Sequence, residues 1–168
     1  MLSAEAIMEI AIRPFELRDA PLKIRWINDP ANNRYLHYVL PLTEEGTRAW
    51  YDRVEDAPDR FDGVITADGM PCGLIGLLRI NDVRKDAELY IVVGEQEWKR
   101  KGVASEAIRQ LLFYAFARRG LSVVYGYTEP GNLPAQKLFA GLGFSKVAEG
   151  LSGVYPDGKQ ADCFNYRK

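Results

Sequence analysis

Val93-Gly94-Glu95-Gln96-Glu97-Trp98-Lys99-Arg100-Lys101-Gly102-Val103-Ala104-Ser105 is the stretch on which the fold turns. Before it, Ala87 to Val93 reads as a strand, with Leu89 and Ile91 on the face opposite Glu88, Tyr90 and Val92. After it, Ala104, Ile108, Leu111, Leu112, Ala115 and Phe116 recur on one helical face, predicting a long helix over 103–119 with Gly120 as a left-handed stop. A strand that passes through a basic, glycine-containing turn into a helix start gathers unpaired backbone N–H groups and the positive end of the helix dipole. Lys99, Arg100 and Lys101 add charge at the same point, and Gly102 lets the backbone approach an anion closely, so a phosphate or pyrophosphate would bind there. A basic triplet taken alone is more often a solvated turn, and the surrounding chain must decide.

Working outward, Gly63 to Ala67, a turn at Asp68-Gly69, Gly73 to Ile80, a polar turn over 81–86 and Ala87 to Val93 predict an antiparallel meander of three strands. Ahead of it lie a short strand at Ile10 to Ile12 and a helix after Asp19, carrying Leu22, Trp26 and Ile27 and stopped by Asn28-Asp29-Pro30. A second helix is capped by Thr43, with Glu44 and Glu45 in the first turn where the dipole favours negative charge. Beyond the long helix, Leu121 to Thr128 is a strand and Pro134 opens a helix ending near Gly141. Phe144 to Ala148 and Cys163 to Tyr166 are expected to be closing strands joined by the turn Pro156-Asp157-Gly158.

Composition narrows the function. The 22 Lys and Arg nearly balance 23 Asp and Glu, so the positive footprint of a nucleic-acid binder is missing. The longest apolar runs, Leu89 to Val93 and Leu111 to Ala117, are far shorter than the roughly 20 residues of a membrane span. Met1 to Met8 has no basic residue and no cleavage pattern, which argues against export. Cys72, Cys163 and the single histidine His37 provide neither a disulfide framework nor metal-ligand spacing. The expectation is a cytoplasmic protein without a metal, forming one domain over 1–168, with 1–8 as a disordered or non-native extension.

The second informative stretch is Asn132-Leu133-Pro134-Ala135-Gln136-Lys137-Leu138-Phe139-Ala140-Gly141-Leu142-Gly143-Phe144. With the Lys99 to Ala104 loop it resembles the GNAT superfamily of N-acetyltransferases, whose acyl-CoA loop reads Gln/Arg-x-x-Gly-x-Gly/Ala and whose later helix reads Asn-x-x-Ala-x-x-Leu-Tyr-x-x-x-Gly-Phe. The opening Ile12-Arg13-Pro14-Phe15, the helix end Trp26-Ile27-Asn28-Asp29 and the tail Asp157-Gly158-Lys159 with Asp162 extend the resemblance toward the branch of ribosomal-protein N-terminal, spermidine and amino-sugar acetyltransferases. The resemblance implies an α+β fold: a twisted, mostly antiparallel sheet flanked by about four helices and splayed after Val93. Acetyl-CoA would lie in the splay, its pantetheine arm along the backbone of Ile91, Val92 and Val93. Its pyrophosphate would rest on Lys99, Arg100, Lys101, Gly102, Val103, Ala104 and Ser105, with Asn132, Ala135 and Phe139 on the other side of the cofactor.

The activity implied is direct transfer of an acetyl group to a primary amine, with no metal. An amine is mostly protonated at neutral pH, so its attack needs a proton acceptor; a carboxylate at the strand position of Glu88 is thought to fill that role in related enzymes. Glu88 facing solvent in an alternating strand is the bland alternative. The family's helix often carries a tyrosine that protonates the departing thiolate, and here Phe139 stands in its place with no proton to give. Tyr125 and Tyr127 are the nearest hydroxyls in sequence. Asn28, Tyr35, His37 and Tyr38 fall where the family places its acceptor loop, His37 as a substrate wall. The acceptor itself stays open among a small amine or polyamine, an amino sugar and a peptide N-terminus. A homodimer is compatible with the chain, and the rival reading is a catalytically weak acyl-CoA-binding or sensing module, which Phe139 would favour.

Overall fold

Two turns set the centre of the sheet. In the computed structural model, which describes residues 7–147 and 153–168, strand β1 (Ile10–Pro14) pairs with β2 (Phe61–Ala67), β2 with β3 (Met70–Asn81), and β3 with β4 (Asp86–Val93), all antiparallel. Asp68 and Gly69 both take positive φ, 49° and 79°, the backbone twist a two-residue hairpin requires between β2 and β3. At the next turn the Asn81 carboxamide oxygen accepts from the Val83 and Arg84 amides at 3.0 and 2.7 Å. The meander read from the sequence is present, with each strand a little longer than expected.

Helix α1 (Ala20–Asn28) follows a short 3-10 turn over Leu17–Asp19. The chain does not simply stop at Asn28-Asp29-Pro30. The Asp29 carboxylate caps the Ala31 amide at 2.9 Å, Pro30 supplies the first helical position, and a one-turn helix α2 (Pro30–Asn33) restarts in a new direction. Helix α3 (Glu44–Val54) has the expected cap, Thr43 Oγ1 accepting from Gly46 at 3.0 Å. The long helix is α4 (Val103–Phe113), which widens into a π turn over Tyr114–Arg118 before Gly120 at φ 67°.

Strand β5 (Val123–Thr128) then joins β4 in parallel, and helix α5 (Leu133–Gly141) leads to a short β6 (Ser145–Lys146). The chain ends in β7 (Gly153–Val154) and β8 (Gln160–Arg167), and the sheet order is β1-β2-β3-β4-β5-β8-β6 with β7 on β8. Pro156-Asp157-Gly158 therefore joins β7 to β8, not β6 to β8 as the sequence suggested, because β6 ends at Lys146. The last residue of that expected strand, Ala148, and residues 1–6 of the expected extension lie outside the described residues.

Alternation along the strands divides the core. Ile65, Ile75, Leu77 and Leu89 pack beneath α4 and α5 with Ile108, Leu111, Phe139 and Phe144. Val64, Leu74, Tyr90 and Val92 face the other way, onto Trp26 and Ile27 of α1 and Trp50 and Tyr51 of α3. Each fully buried aliphatic of this kind contributes about 1.5–3 kcal/mol relative to exposure. Among the described residues no helix is long and apolar enough to cross a membrane.

Candidate active site

Strands β4 and β5 are paired only at Asp86/Val123, Ala87/Val124 and Glu88/Tyr125. Beyond Glu88 they part, while β4 keeps its bonds to β3 as far as Val93. The splay thus begins five residues earlier than the sequence suggested, beside Leu89 to Val93. Strand β5 runs on to Thr128 against β8, so β4 and β5 diverge while both are still extended, and that divergence leaves no trace in the sequence of β4. The edge of β4 from Leu89 to Val93 offers main-chain donors and acceptors to an extended ligand arm.

At the end of that edge the chain enters the basic loop. Gly94 admits the Trp26 ring, which would overlap any Cβ there, and the Trp26 indole N–H donates to Glu95 at 2.8 Å. A 3-10 turn at Gln96–Trp98 leads to Lys99, whose ammonium donates to Asn32 Oδ1 at 2.5 Å; burial lowers its pKa. Arg100 and Gly102 both adopt positive φ, 60° and 79°, so the loop turns sharply and presents the first turn of α4. The Val103, Ala104 and Ser105 amides there have no carbonyl one turn earlier in the helix. Val103 is itself buried in the core, so only its backbone is available to a ligand. These groups fit a pyrophosphate: amides at a helix start, flanking cations and no side chain on Gly102 to block approach.

On the face of β4 that carries Glu88, Tyr90 and Val92 lies a cavity of about 520 Å³, lined by Lys23 of α1, Tyr38, Thr47 and Trp50 of α3, Asp62 of β2 and Tyr90. Gly76, opposite Tyr90, leaves room for that ring, since a Cβ would strike the ring and the Phe61 carbonyl. The Tyr90 hydroxyl donates to Asp62 at 2.6 Å, and Arg60 holds both Asp62 oxygens at 2.7 and 2.9 Å. Lys23 is 6% exposed, with its ammonium 3.4 Å from the centre of the Trp50 ring. Burial lowers its pKa to about 8, against a smaller upward pull from Asp62.

Glu88 is 16% exposed and ion-paired with Arg79, which sits in the bulge of β3 between Leu78 and Asn81. Since neighbours in a parallel pair point the same way, Tyr125 shares its face. Tyr125 and Tyr127 stand edge to face, ring centres 5.8 Å apart, and burial raises the pKa of both, keeping their hydroxyls protonated. Cys72 and Cys163 are buried with pKa values raised by that burial, Cys72 to about 11, and remain thiols.

The acceptor-loop residues named from sequence separate. Tyr38 lines the cavity. Asn28 spends its side-chain amide on both backbone groups of Leu42, at 2.7 and 3.0 Å, and so braces the loop from within. Tyr35 donates to the Gly131 carbonyl at 3.0 Å, and His37 stacks on Tyr155 and meets Asp157 at 2.6 Å, its side chain 10% exposed. Both pin the loop to the turns after β5 and β7. Asn132 caps α5 by accepting from the Ala135 amide at 3.3 Å. Phe139 is 5% exposed and packed against Phe144 and Phe164 in the core. Its Cζ lies 2.8 Å from where a Gly126 Cβ would stand, with both Cε atoms at 3.4 Å, so the ring points tip-first at β5. Sequence reasoning missed Lys23, Thr47, Arg60 and Asp62. The one signal was Lys23, three residues before Trp26 on the face that buries Ala20 and Ile27.

The model of the acetyltransferase (GNAT) domain matches residues 9–145. The uncharacterized N-acetyltransferase p20 of Bacillus licheniformis is 29% identical over 156 residues, covering 89% of this chain and 85% of that protein. The spermidine N(1)-acetyltransferase of Escherichia coli K12 is 28% identical over 158 residues, covering 89% and 80%. Among solved structures, the spermidine N-acetyltransferase of Vibrio cholerae in complex with CoA and spermine superposes with a TM-score of 0.84 at 20% identity, over 94% of this chain and 95% of that one.

Proposed function

The chain belongs to the acetyltransferase (GNAT) domain family, and from that premise we propose how its residues divide the work of an acetyl-CoA-dependent N-acetyltransferase. Acetyl transfer from acetyl-CoA to an amine is the activity of the family and of this chain. Acetyl-CoA supplies the activated thioester carbonyl. Our proposal assigns the splay beyond Glu88 and the loop from Lys99 to Ser105 to the donor, the cavity over Tyr90 to the acceptor, and Glu88 to the proton that the amine must lose. Residues 9–145 together with β8, which completes β5, act as one catalytic unit.

One observation carries this reading: the pairing of β4 with β5 ends at Glu88, whose side chain shares the face of Tyr90, and this supports a position for its carboxylate between the two proposed surfaces. Backbone amides along the freed edge of β4 orient the donor and can polarise a carbonyl oxygen. Arg79 is ion-paired with Glu88 and, being largely exposed, can yield it to an incoming ammonium. Tyr125 and Tyr127, on the same face, are the hydroxyls available to protonate a departing thiolate.

The test is thermal stability with and without acetyl-CoA, followed by thiol release in the same samples across polyamines, amino sugars, nucleotide-linked amino sugars and peptides with free N-termini. A raised melting temperature with thiol release is the expected result. Absence of both would overturn the assignment of donor and acceptor surfaces.

A further inference from the structure

We propose that the acceptor amine carries an anionic oxygen group, a carboxylate or a phosphate, which the acceptor cavity holds on the Lys23 ammonium. The inference rests on the assignment of that cavity to the acceptor and names the class of molecule that enters it.

Two observations point to an anion: an unpaired cation in the cavity wall and the balance of charge around it. Lys23 has no hydrogen-bond or ion-pair partner among the described residues, although 94% of it is withdrawn from solvent; only aromatic rings flank the ammonium, Trp50 at 3.4 Å, Tyr38 at 5.7 Å and Phe15 at 5.9 Å. Native proteins rarely withdraw a lysine this far from water without an opposite charge beside it. An anionic ligand in the cavity would supply the missing partner.

The other charges nearby do not supply that acceptor. Among the described residues Asp62 is the one carboxylate lining the cavity, and its two oxygens are taken by Arg60 and the Tyr90 hydroxyl. Lys23 and Arg60 against Asp62 leave the cavity with one net positive charge. Burial lowers the Lys23 pKa to about 8, which still leaves it mostly protonated at neutral pH. A polycation would meet like charge here, whereas an amine with a carboxylate or phosphate a few bonds away would place its anionic end on Lys23. Its amino end would remain free to reach toward Glu88.

The experiment pairs acceptors that differ only in the anion. Thiol release from acetyl-CoA is measured for L-methionine against 3-(methylthio)propylamine, for glucosamine 6-phosphate against glucosamine, and for spermidine. Charge-assisted bonds of this kind predict kcat/KM at least about tenfold higher for an anionic member. The pair with the larger ratio identifies carboxylate or phosphate as the group bound. Lys23→Met collapses the ratio to near one.

A second readout is quenching of tryptophan fluorescence on titration with N-acetyl-L-methionine and with inorganic phosphate, Trp50 being in the cavity wall. Saturable quenching in the wild-type protein that disappears in Lys23→Met supports the anion site. Efficient transfer to spermidine or the neutral amines, with a ratio untouched by Lys23→Met, would overturn the inference and leave the acceptor cavity standing. Lys23-dependent quenching without transfer to any amine would keep the anion site and remove its role in acceptor binding. Neither quenching nor transfer would remove both.

Discussion

Lys23→Met should make the protein more stable at neutral pH and lose that advantage as the solution becomes alkaline. Burial beneath α3 takes the Lys23 pKa from the usual 10.5 to about 8. At about 1.4 kcal/mol per pH unit, a charged Lys23 costs the fold roughly 3 kcal/mol below pH 8. The Trp50 ring returns about 0.5–2 kcal/mol through the cation–π contact, so methionine, which fills the space without charge, gains about 1–3 kcal/mol at pH 7. Between pH 8 and 10.5 the unfolded chain holds a proton that the folded chain has released. Wild-type stability therefore rises through that window relative to the variant. The other groups around Lys23 are Asp62 and Arg60 from the β2 side, Tyr38 from the loop, Tyr90 from β4, and Thr47 and Trp50 from α3. Tyr38 and Tyr90 have raised pKa values, and Arg60 also titrates above the window, so all three are common to both proteins. Urea denaturation at pH 7 and pH 9.5 should show the gap narrowing by about 2 kcal/mol. An equal gap at both values, or a variant that is weaker at pH 7 than at pH 9.5, would refute the argument that Lys23 is a desolvated cation.

Three further substitutions probe the rest of the site. Glu88→Gln should lower kcat/KM for the best acceptor by about 10²–10⁴ while leaving stabilisation by acetyl-CoA intact; steady-state kinetics showing less than a threefold loss would exclude Glu88 as the proton acceptor. Gly94→Ala drives a methyl into the Trp26 ring and should cost about 1–3 kcal/mol in thermal denaturation, with an unchanged melting temperature counting against that packing. Phe139→Tyr should not raise kcat, because its hydroxyl would be thrust toward β5 at Gly126; a cost of about 1–3 kcal/mol in stability is the expected outcome, and a faster enzyme would contradict it.

What the sequence made legible follows from which forces act locally. The Asp68-Gly69 hairpin, the Thr43 cap and the left-handed Gly120 each depend on a few adjacent residues, and each is found where the pattern placed it. The loop at Lys99 to Ser105 was legible for the same reason, since strand, glycine and helix start are all written there. The position of the splay was hidden, because it depends on where β5 diverges from β4 to follow β8, about 35 residues later in the chain. Asn28 and Asn32 were opaque for a related reason: their amides close contacts with Leu42, Gly94 and Lys99 that only the assembled α1–α2 corner brings near. Lys23 was missed because a lysine is ordinarily placed in water, although it lies on the face of α1 shared with Trp26.

Strand β4 is where the separate requirements of the site meet, and its period of two satisfies all of them at once. Leu89, Ile91 and Val93 anchor it in the core under α4; Glu88, Tyr90 and Val92 point to the opposite face, proposed for the acceptor; the freed backbone edge between them is the one proposed for the donor. A slip of one residue against β3 would exchange the two sets of side chains and send Glu88 and Tyr90 into the core. Gly76 opposes that slip: it has no side chain where the Tyr90 ring crosses β3, and its neighbour Leu74 is buried opposite Val92. The Tyr90 hydroxyl then reaches Asp62 and, with Arg60, commits that carboxylate, which leaves Lys23 without an ion-pair partner among the described residues. The register that places Glu88 at the opening of the splay is thus the same register that leaves the cavity short of one negative charge.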